Sequence, residues 1–335
     1  MSRLSHALNT LWYGNSPLRW LLWPASLAYL GLARLRRAAY ERGTLAVVEL
    51  PVPVIVIGNV SVGGTGKTPF IIWLAAELKA RGLRVGILTR GYRGSSADWP
   101  RLVAGDTPAE EVGDEAVLLA RRTECPVAAG PDRIAAARHL LDAGKVDVLL
   151  SDDGLQHYRL ARRFEIAVVD GVRGMGNGLC LPAGPLREPE ERLRSVDAIV
   201  VNGGKWGHAG VFRAAAVVTQ VYRVTDRAPR TLESFKKEHV HAVAGIGNPQ
   251  RFFDLLADAG LDLTPHPLED HADLDPEDLT FAEPGAVLVT EKDAVKCEGF
   301  AGDDVWCVAV DLKLDADQAA RFMRLVLREL GGPSR

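Results

Sequence analysis

Residues 53–68 read Pro53-Val-Ile-Val-Ile-Gly-Asn-Val-Ser-Val-Gly-Gly-Thr-Gly-Lys-Thr68. An apolar run, Val54–Ile57, leads into a glycine-rich turn that closes on Gly66-Lys67-Thr68, and helical sequence follows. Strand, glycine turn and helix in that order form a phosphate-binding loop. The glycines let successive backbone N–H groups curl around phosphate oxygens. Lys67 is expected to reach the β- and γ-phosphates, the Thr68 hydroxyl to hold Mg²⁺, and the following helix to aim its positive end at the anion. We assign Ser61, Val62, Gly63, Gly64, Thr65, Gly66, Lys67 and Thr68 to the nucleotide. The general pattern G-x-x-x-x-G-K-[ST] asks for glycine where this chain has Ser61, and the Gly63-Gly64 pair keeps the turn flexible.

Outward from this turn the chain alternates strand and helix. Strands are predicted at Val54–Ile57, Val85–Thr89, Pro126–Ala129, Val148–Ser151, Ile166–Val169 and Ala198–Val201, with helices at Phe70–Ala80, Glu115–Arg122 and Asp132–Ala143. This pattern predicts an α/β fold of the P-loop type, a mainly parallel sheet with helices on both faces. The stretch Ala214–Val224 reads as a connecting hairpin or a further strand. From about Glu238 the alternation restarts, with strands at His241–Gly245, Ala286–Thr290 and Val305–Val310 and helices at Pro249–Ala259 and Ala316–Leu330. The expected organisation is an amino-terminal helical segment (1–40), a P-loop domain (41–213) and a smaller α/β domain (214–335), joined through a linker hairpin at 214–226.

A second acidic motif, Val146-Asp-Val-Leu-Leu-Ser-Asp-Asp-Gly154, is an apolar strand that ends in two carboxylates. In P-loop enzymes a strand beside the loop strand ends in the aspartate that binds Mg²⁺. Asp152 and Asp153 fit that position. Adjacent residues on a strand point to opposite faces, so one of them faces the metal squarely.

The 335 residues suffice for two domains, and 47% hydrophobic with 25% charged residues is ordinary for a folded chain. A net charge of −3 gives no nucleic-acid footprint. The four cysteines (Cys125, Cys180, Cys297, Cys307) form no CxxC pair and read as small core residues of a reducing compartment. The amino terminus stands apart. Trp20–Ala33 carries no charge, with Arg19 before it and Arg34, Arg36 and Arg37 after it. Fourteen helical residues cover about 21 Å, short of a hydrocarbon core of about 30 Å. The segment therefore reads as an interfacial helix with tryptophans at headgroup level and arginines facing phosphates, rather than as a signal peptide.

Taken together these motifs resemble one family, the tetraacyldisaccharide 4′-kinases that phosphorylate lipid A precursors. The resemblance rests on the amino-terminal helix, Gly58–Pro69, Thr89-Arg-Gly-Tyr-Arg-Gly94, Gly113-Asp-Glu115 and Pro131-Asp-Arg133. It continues through Ser151-Asp-Asp-Gly-Leu-Gln-His157, Leu181–Glu188, Ala244–Pro249, Asp270-His271 and Thr290-Glu-Lys-Asp293. The Ser61 departure looks like this family's own form of the loop. The resemblance implies transfer of the ATP γ-phosphate to the 4′-hydroxyl of a membrane-embedded acylated glucosamine disaccharide 1-phosphate. That reaction belongs to the cytoplasmic face of the inner membrane, with the helix resting on the lipid surface and a monomeric enzyme.

The same resemblance implies Asp114 as the base that accepts the hydroxyl proton, although by its position alone Asp114 reads as an N-cap of the helix starting at Glu115. It further implies that His271 reaches the site from the second domain, with Lys67 and Asp153 completing the catalytic set. Thr68, Asp152, Asp153 and Glu188 are the expected metal shell. Arg90, Tyr92, Arg93 and Arg133 are the candidates for the substrate's 1-phosphate and sugar, since arginine presents a planar donor fork to phosphate. A P-loop switch, an ATPase or GTPase acting on a protein partner, is the competing class. Guanine recognition usually needs an N/T-K-x-D element, and the spacing in Thr290-Glu-Lys-Asp293 is shifted, so ATP is the expected nucleotide.

Overall fold

The computed structural model describes residues 3–331 apart from His208 and His271, and side chains from Ala7 onward. Two helices come first, α1 (Arg3–Tyr13) and α2 (Leu18–Glu41). The chain then alternates through β1 (Val54–Gly58), α3 (Lys67–Lys79), β2 (Val85–Thr89), β3 (Arg101–Val103), α4 (Ala109–Val112) and α5 (Asp114–Thr123). It continues with β4 (Val127–Ala129), α6 (Arg133–Ala143), β5 (Val148–Asp152), β6 (Phe164–Asp170) and β7 (Ala198–Asn202). The second half adds β8 (Phe212–Arg223), β9 (His239–Ala244), α7 (Pro249–Asp258), β10 (Asp262–Pro267), β11 (Ala286–Thr290), α8 (Glu291–Cys297), β12 (Val305–Leu314) and α9 (Ala316–Gly331).

These strands join one sheet in the order β10-β9-β11-β12-β8-β7-β6-β1-β5-β2-β4-β3. All pairings are parallel except β8 with β12 and β3 with β4. The α/β, mainly parallel architecture is the one expected. β1 lies between β5 and β6, and every residue of these three strands is buried. Continuous burial explains why they read as unbroken apolar runs. Alternate side chains of β1 enter opposite cores. Ile55 and Ile57 pack with Phe70 and Leu74 of α3 and Leu119 of α5, whereas Val54 and Val56 pack with Ile134 and Leu140 of α6.

Three expectations need correction. The 214–226 segment is no hairpin. Residues 224–226 form a turn, and residues 214–223 before it are the further strand, part of β8, whose start pairs with β7 and whose remainder pairs with β12. Its apolar residues alternate with exposed ones at the start, as a half-buried strand requires. The carboxyl-terminal helix α9, expected in the second domain, packs on the first half. Phe322 meets Phe70, Phe164 and Phe212 edge to face at 5.7, 6.5 and 5.0 Å. β3 and β10 were not expected at all. Both are edge strands, β3 only three residues long and β10 interrupted by Pro265 and Pro267, so neither carries a strand-like run.

Among the described residues no helix is long and apolar enough to cross a membrane. α2 contains Pro24 and buries only Ser26. Leu18, Trp20, Leu21, Leu32 and Leu35 are exposed along it. The inner side is held by Tyr29, whose hydroxyl donates to the Arg187 carbonyl at 3.0 Å, and by Ser26 Oγ, which accepts from Ala183 N at 2.9 Å.

Candidate active site

The turn after β1 is shaped by two glycines. Gly63 and Gly66 have φ of 101° and 93°, a region that L side chains rarely adopt. Gly66 is the N-cap of α3, so Lys67 and Thr68 open the helix. Ser61 is not at positive φ. It forms an antiparallel bridge with Leu186, and Val62 N donates to the Pro185 carbonyl at 2.8 Å. That pairing is extended backbone, which is why serine serves where the general pattern has glycine.

The turn is locked from two sides. Asn202, at the end of β7, donates from Nδ2 to the Thr65 carbonyl at 3.1 Å, and a Cβ on Gly66 would sit 2.2 Å from that nitrogen. From the second half, the Gly247-Asn248 segment lies against Gly64. A Cβ on Gly247 would fall 2.3 Å from Gly64 N. Arg173 holds the segment by donating to the Gly247 carbonyl at 2.8 Å, and Asn248 Nδ2 donates to Asp170 at 2.9 Å.

The two acidic residues at the end of β5 behave oppositely. Asp152 is buried, and its Oδ1 has no hydrogen-bond partner. Burial, then the charge of Glu115, pushes its carboxyl up to about 7. Asp153 turns out of the strand at φ 48° and meets cations. Lys67 Nζ lies 3.4 Å away, and Arg187 Nη1 donates to both oxygens at 2.9 and 2.8 Å. Burial works to raise Asp153, but Lys67 and Arg187 outweigh it and hold the carboxylate below the usual range.

A cavity of about 480 Å³ spreads over the turn. That volume suits a nucleotide. Val62–Thr68, Asp152 and Asp153 line one side. Ile246, Phe252, Val308 and Val310 form an apolar patch from the second half, and Glu115, Asp270 and Lys292 form a charged wall. Between the halves runs a line of ion pairs. Arg122 of α5 donates to both Glu291 oxygens at 2.5 and 2.6 Å and to Asp311 at 2.5 Å, and Arg121 meets Glu298 at 2.5 Å.

The structure sorts the residues proposed from sequence. Arg90 and Tyr92 line the cavity, and Arg93 does not. Arg133 also lines it, but its guanidinium is buried and donates to the Gly130 carbonyl at 3.1 Å and the Asp152 carbonyl at 2.8 Å. Burial pulls it down to about 10. Asp114 is buried at the start of α5, behind Glu115, which lines the cavity. Gly113 is the N-cap, so Asp114 is not. Asp114 Oδ1 accepts from Glu115 N at 2.8 Å, and Oδ2 lies 3.5 Å from Lys296 Nζ. His271 lies outside the described residues.

Glu188 does not line the cavity, and its oxygens are taken by Gln156 Nε2 at 2.8 Å, the Tyr158 hydroxyl and Arg192 Nε at 3.6 Å. So engaged, it braces the loop after β5. Conversely, Glu115, Arg187, Asn202, Asp270 and Lys292 were not singled out. All but Asn202 lie inside motifs quoted above, and only their partners across the cavity give them roles. The Thr290–Asp293 element is no guanine reader, since Asp293 is wholly buried and accepts from Gly245 N at 2.9 Å.

Comparison with known proteins follows the same lines. The family model described as tetraacyldisaccharide-1-P 4′-kinase matches residues 18–328. Tetraacyldisaccharide 4′-kinase of Nitrosococcus oceani is 49% identical over 326 residues, covering 97% of this chain and 96% of that one. The Pseudomonas putida protein of the same name is 44% identical over 323 residues, covering 96% and 97%. Among solved structures, LpxK from Aquifex aeolicus in complex with ATP superposes with a TM-score of 0.78 at 31% identity, covering 93% of this chain and 99% of that one.

Proposed function

We propose the chemistry of this chain from one premise: it belongs to the tetraacyldisaccharide-1-P 4′-kinase family. It is an ATP-dependent kinase that phosphorylates the 4′-hydroxyl of a tetraacyl disaccharide 1-phosphate in lipid A biosynthesis. The observation that carries the reading to individual residues is the convergence of Lys67, Asp153 and Arg187 with the unpartnered Asp152 oxygen on one glycine turn.

Phosphoryl transfer needs in-line positioning and neutralised charge more than covalent chemistry. The amides of Gly63–Thr68 and the Lys67 ammonium grip the β- and γ-phosphates. Asp153 orients Lys67 and is itself fixed by Arg187. Asp114 accepts the hydroxyl proton, with Lys296 as its counter-charge, and His271 is assigned to the catalytic set beside it. Arg90 and Tyr92 face the acceptor sugar and its 1-phosphate, and Arg93 stands beside them on the exposed rim. Arg133 acts from below, by holding the Asp152 backbone.

Mg²⁺ fits this site. A buried carboxylate oxygen without a partner, beside a threonine at the first turn of α3, is the donor set such a cation takes together with phosphate oxygens and water. Asp152 and Thr68 would hold it, with Asp153 close by, and the cation would neutralise charge on the phosphates. The exposed apolar side chains of α2, flanked by Arg19, Arg34 and Arg36, rest on the lipid surface and bring the site to a substrate that rarely leaves the bilayer. The division near residue 213 separates a phosphate-gripping half from a closing half that excludes water. A monomer suffices for all of these roles.

The decisive experiment is transfer from γ-labelled ATP to a tetraacyl disaccharide 1-phosphate in mixed micelles, with Lys67→Ala as control. Labelled lipid that falls by about a thousandfold in the control supports the assignment. ATP hydrolysis without labelled lipid would favour the switch-protein reading.

A further inference from the structure

The Thr290-Glu-Lys-Asp293 element takes no part in the phosphate turn, yet each of its side chains is engaged. Thr290 Oγ1 donates to Asp293 Oδ2 at 2.7 Å and accepts from Asp293 N at 3.2 Å, capping α8. Asp293 also anchors the helix to β9 through Gly245 N. Glu291 takes the Arg122 fork. These contacts fix the helix, and the remaining side chain, Lys292, points at the cavity.

Lys292 Nζ lies 3.2 Å from Glu115 Oε1 and 3.5 Å from Asp270 Oδ1. One turn later Lys296 Nζ donates to the Ala272 carbonyl at 3.0 Å and lies 3.5 Å from Asp114 Oδ2. Positions i and i+4 share a helix face. The two lysines therefore clasp the start of α5, at Asp114 and Glu115, and the second half, at Asp270 and Ala272. Glu115, Asp270, Asp152 and Asp153 all line the cavity that also holds Lys67. Arg251 lines the same cavity from the second half, and Lys292 differs from it in having two lining carboxylates, Glu115 and Asp270, as direct partners.

We propose that Lys292 is a positioning residue for the terminal phosphate: it draws Glu115 and Asp270 together across the cavity and neutralises them, so that the wall facing the glycine turn admits a γ-phosphate. The inference rests on the kinase reading above and extends it to a motif that reading leaves without a role. It makes a selective demand. ADP lacks the phosphate that approaches this wall, so loss of Lys292 weakens ATP far more than ADP. A purely architectural lysine would weaken both alike.

The test measures binding of ATP and ADP with Mg²⁺ to the full chain, by calorimetry, alongside lipid phosphorylation and melting. In Lys292→Met, ATP affinity is expected to fall about tenfold or more while ADP stays within about twofold, as removal of one cation beside two carboxylates near a surface predicts. Turnover falls with ATP affinity. Lys292→Arg, which keeps the charge, retains the ATP preference over Lys292→Met even if both melt early. Adding Glu115→Gln to Lys292→Met removes one of the two negative charges and recovers part of the ATP affinity. Equal losses for ATP and ADP, no loss for either, or a double variant no better than the single one would overturn the proposal. The parent reaction is scored separately: a wild-type chain that binds nucleotide but labels no lipid overturns the kinase reading and leaves the ATP-to-ADP comparison intact.

Discussion

The two walls of the nucleotide cavity are built from different materials. The wall from the first half is backbone: a turn with two glycines at positive φ, packed so closely that Asn202 leaves no room for a Cβ on Gly66 and the turn leaves none for a Cβ on Gly247. The wall beside the apolar patch is charge, where α8 of the second half meets α5 of the first: Glu291 and Lys292 line it with Glu115, and Arg122, Asp114 and Lys296 pair behind them. Backbone geometry fails when volume is added, whereas ion pairs fail when charge is removed. The same fold thus contains one wall sensitive to a methyl group and another sensitive to a proton or a cation.

The largest effect should come from the backbone wall. Gly66→Ala places a Cβ 2.2 Å from Asn202 Nδ2 at φ 93°, so ATP affinity should drop by about a hundredfold in a binding assay, in line with strain of about 1–3 kcal/mol plus the clash. Asn202→Ala in the same chain should relieve the clash but not the strain. If Gly66→Ala binds ATP normally, the backbone wall is softer than its geometry requires.

Next comes Asp152, where the two materials meet. Its folded-state pKa of about 7 lies above the ordinary carboxylate value, so the folded chain keeps a proton that the unfolded chain releases between about pH 4 and 7. Wild-type stability without nucleotide or metal should therefore decline as pH rises through that window. Asp152→Asn should remove the decline and melt higher at pH 8, by on the order of a few kcal/mol, while abolishing phosphorylation. Asp153 has the opposite sign: its contribution is present above the ordinary carboxylate pKa and is lost as pH falls below it. Urea unfolding across pH separates the two.

The charged wall should divide by exposure. Arg122→Ala leaves Glu291 and Asp311 without their shared cation, and Glu291 is nearly buried, so chemical denaturation should report a loss of about 1–3 kcal/mol. Arg121→Ala breaks a pair with Glu298 that is more open to water and should lose less than about 1 kcal/mol. Equal losses would mean that the wall acts as one network and not as separate pairs.

The same contrast explains what could be read from sequence. Gly63, Gly66 and Lys67 were legible because a backbone site is written in consecutive residues. Val54–Ile57 and Val148–Ser151 were legible because strands buried on both faces are unbroken apolar runs. The charged wall was not legible. Lys292 and Glu115 are 177 positions apart, and nothing in either neighbourhood names the other as partner. The partners of Glu188 were hidden for the same reason: nothing beside Arg187 in the sequence announces that Gln156 and Tyr158 take up that carboxylate. By position alone Asp114 reads as a cap because helix starts favour acids there, and the structure gives the cap to Gly113 instead.

The outer strand β10 has a consequence for life at high protein concentration. Leu268 N donates inward to the Ala244 carbonyl of β9, and strand amides alternate sides, so the nitrogens at positions 265 and 267 face outward. Both are prolines and carry no hydrogen. A sheet this wide offers its rim to any passing extended chain, and most of that rim's donors here are missing. Replacing Pro265 and Pro267 with valine would restore them, and the cost would appear as concentration-dependent turbidity rather than as lost turnover.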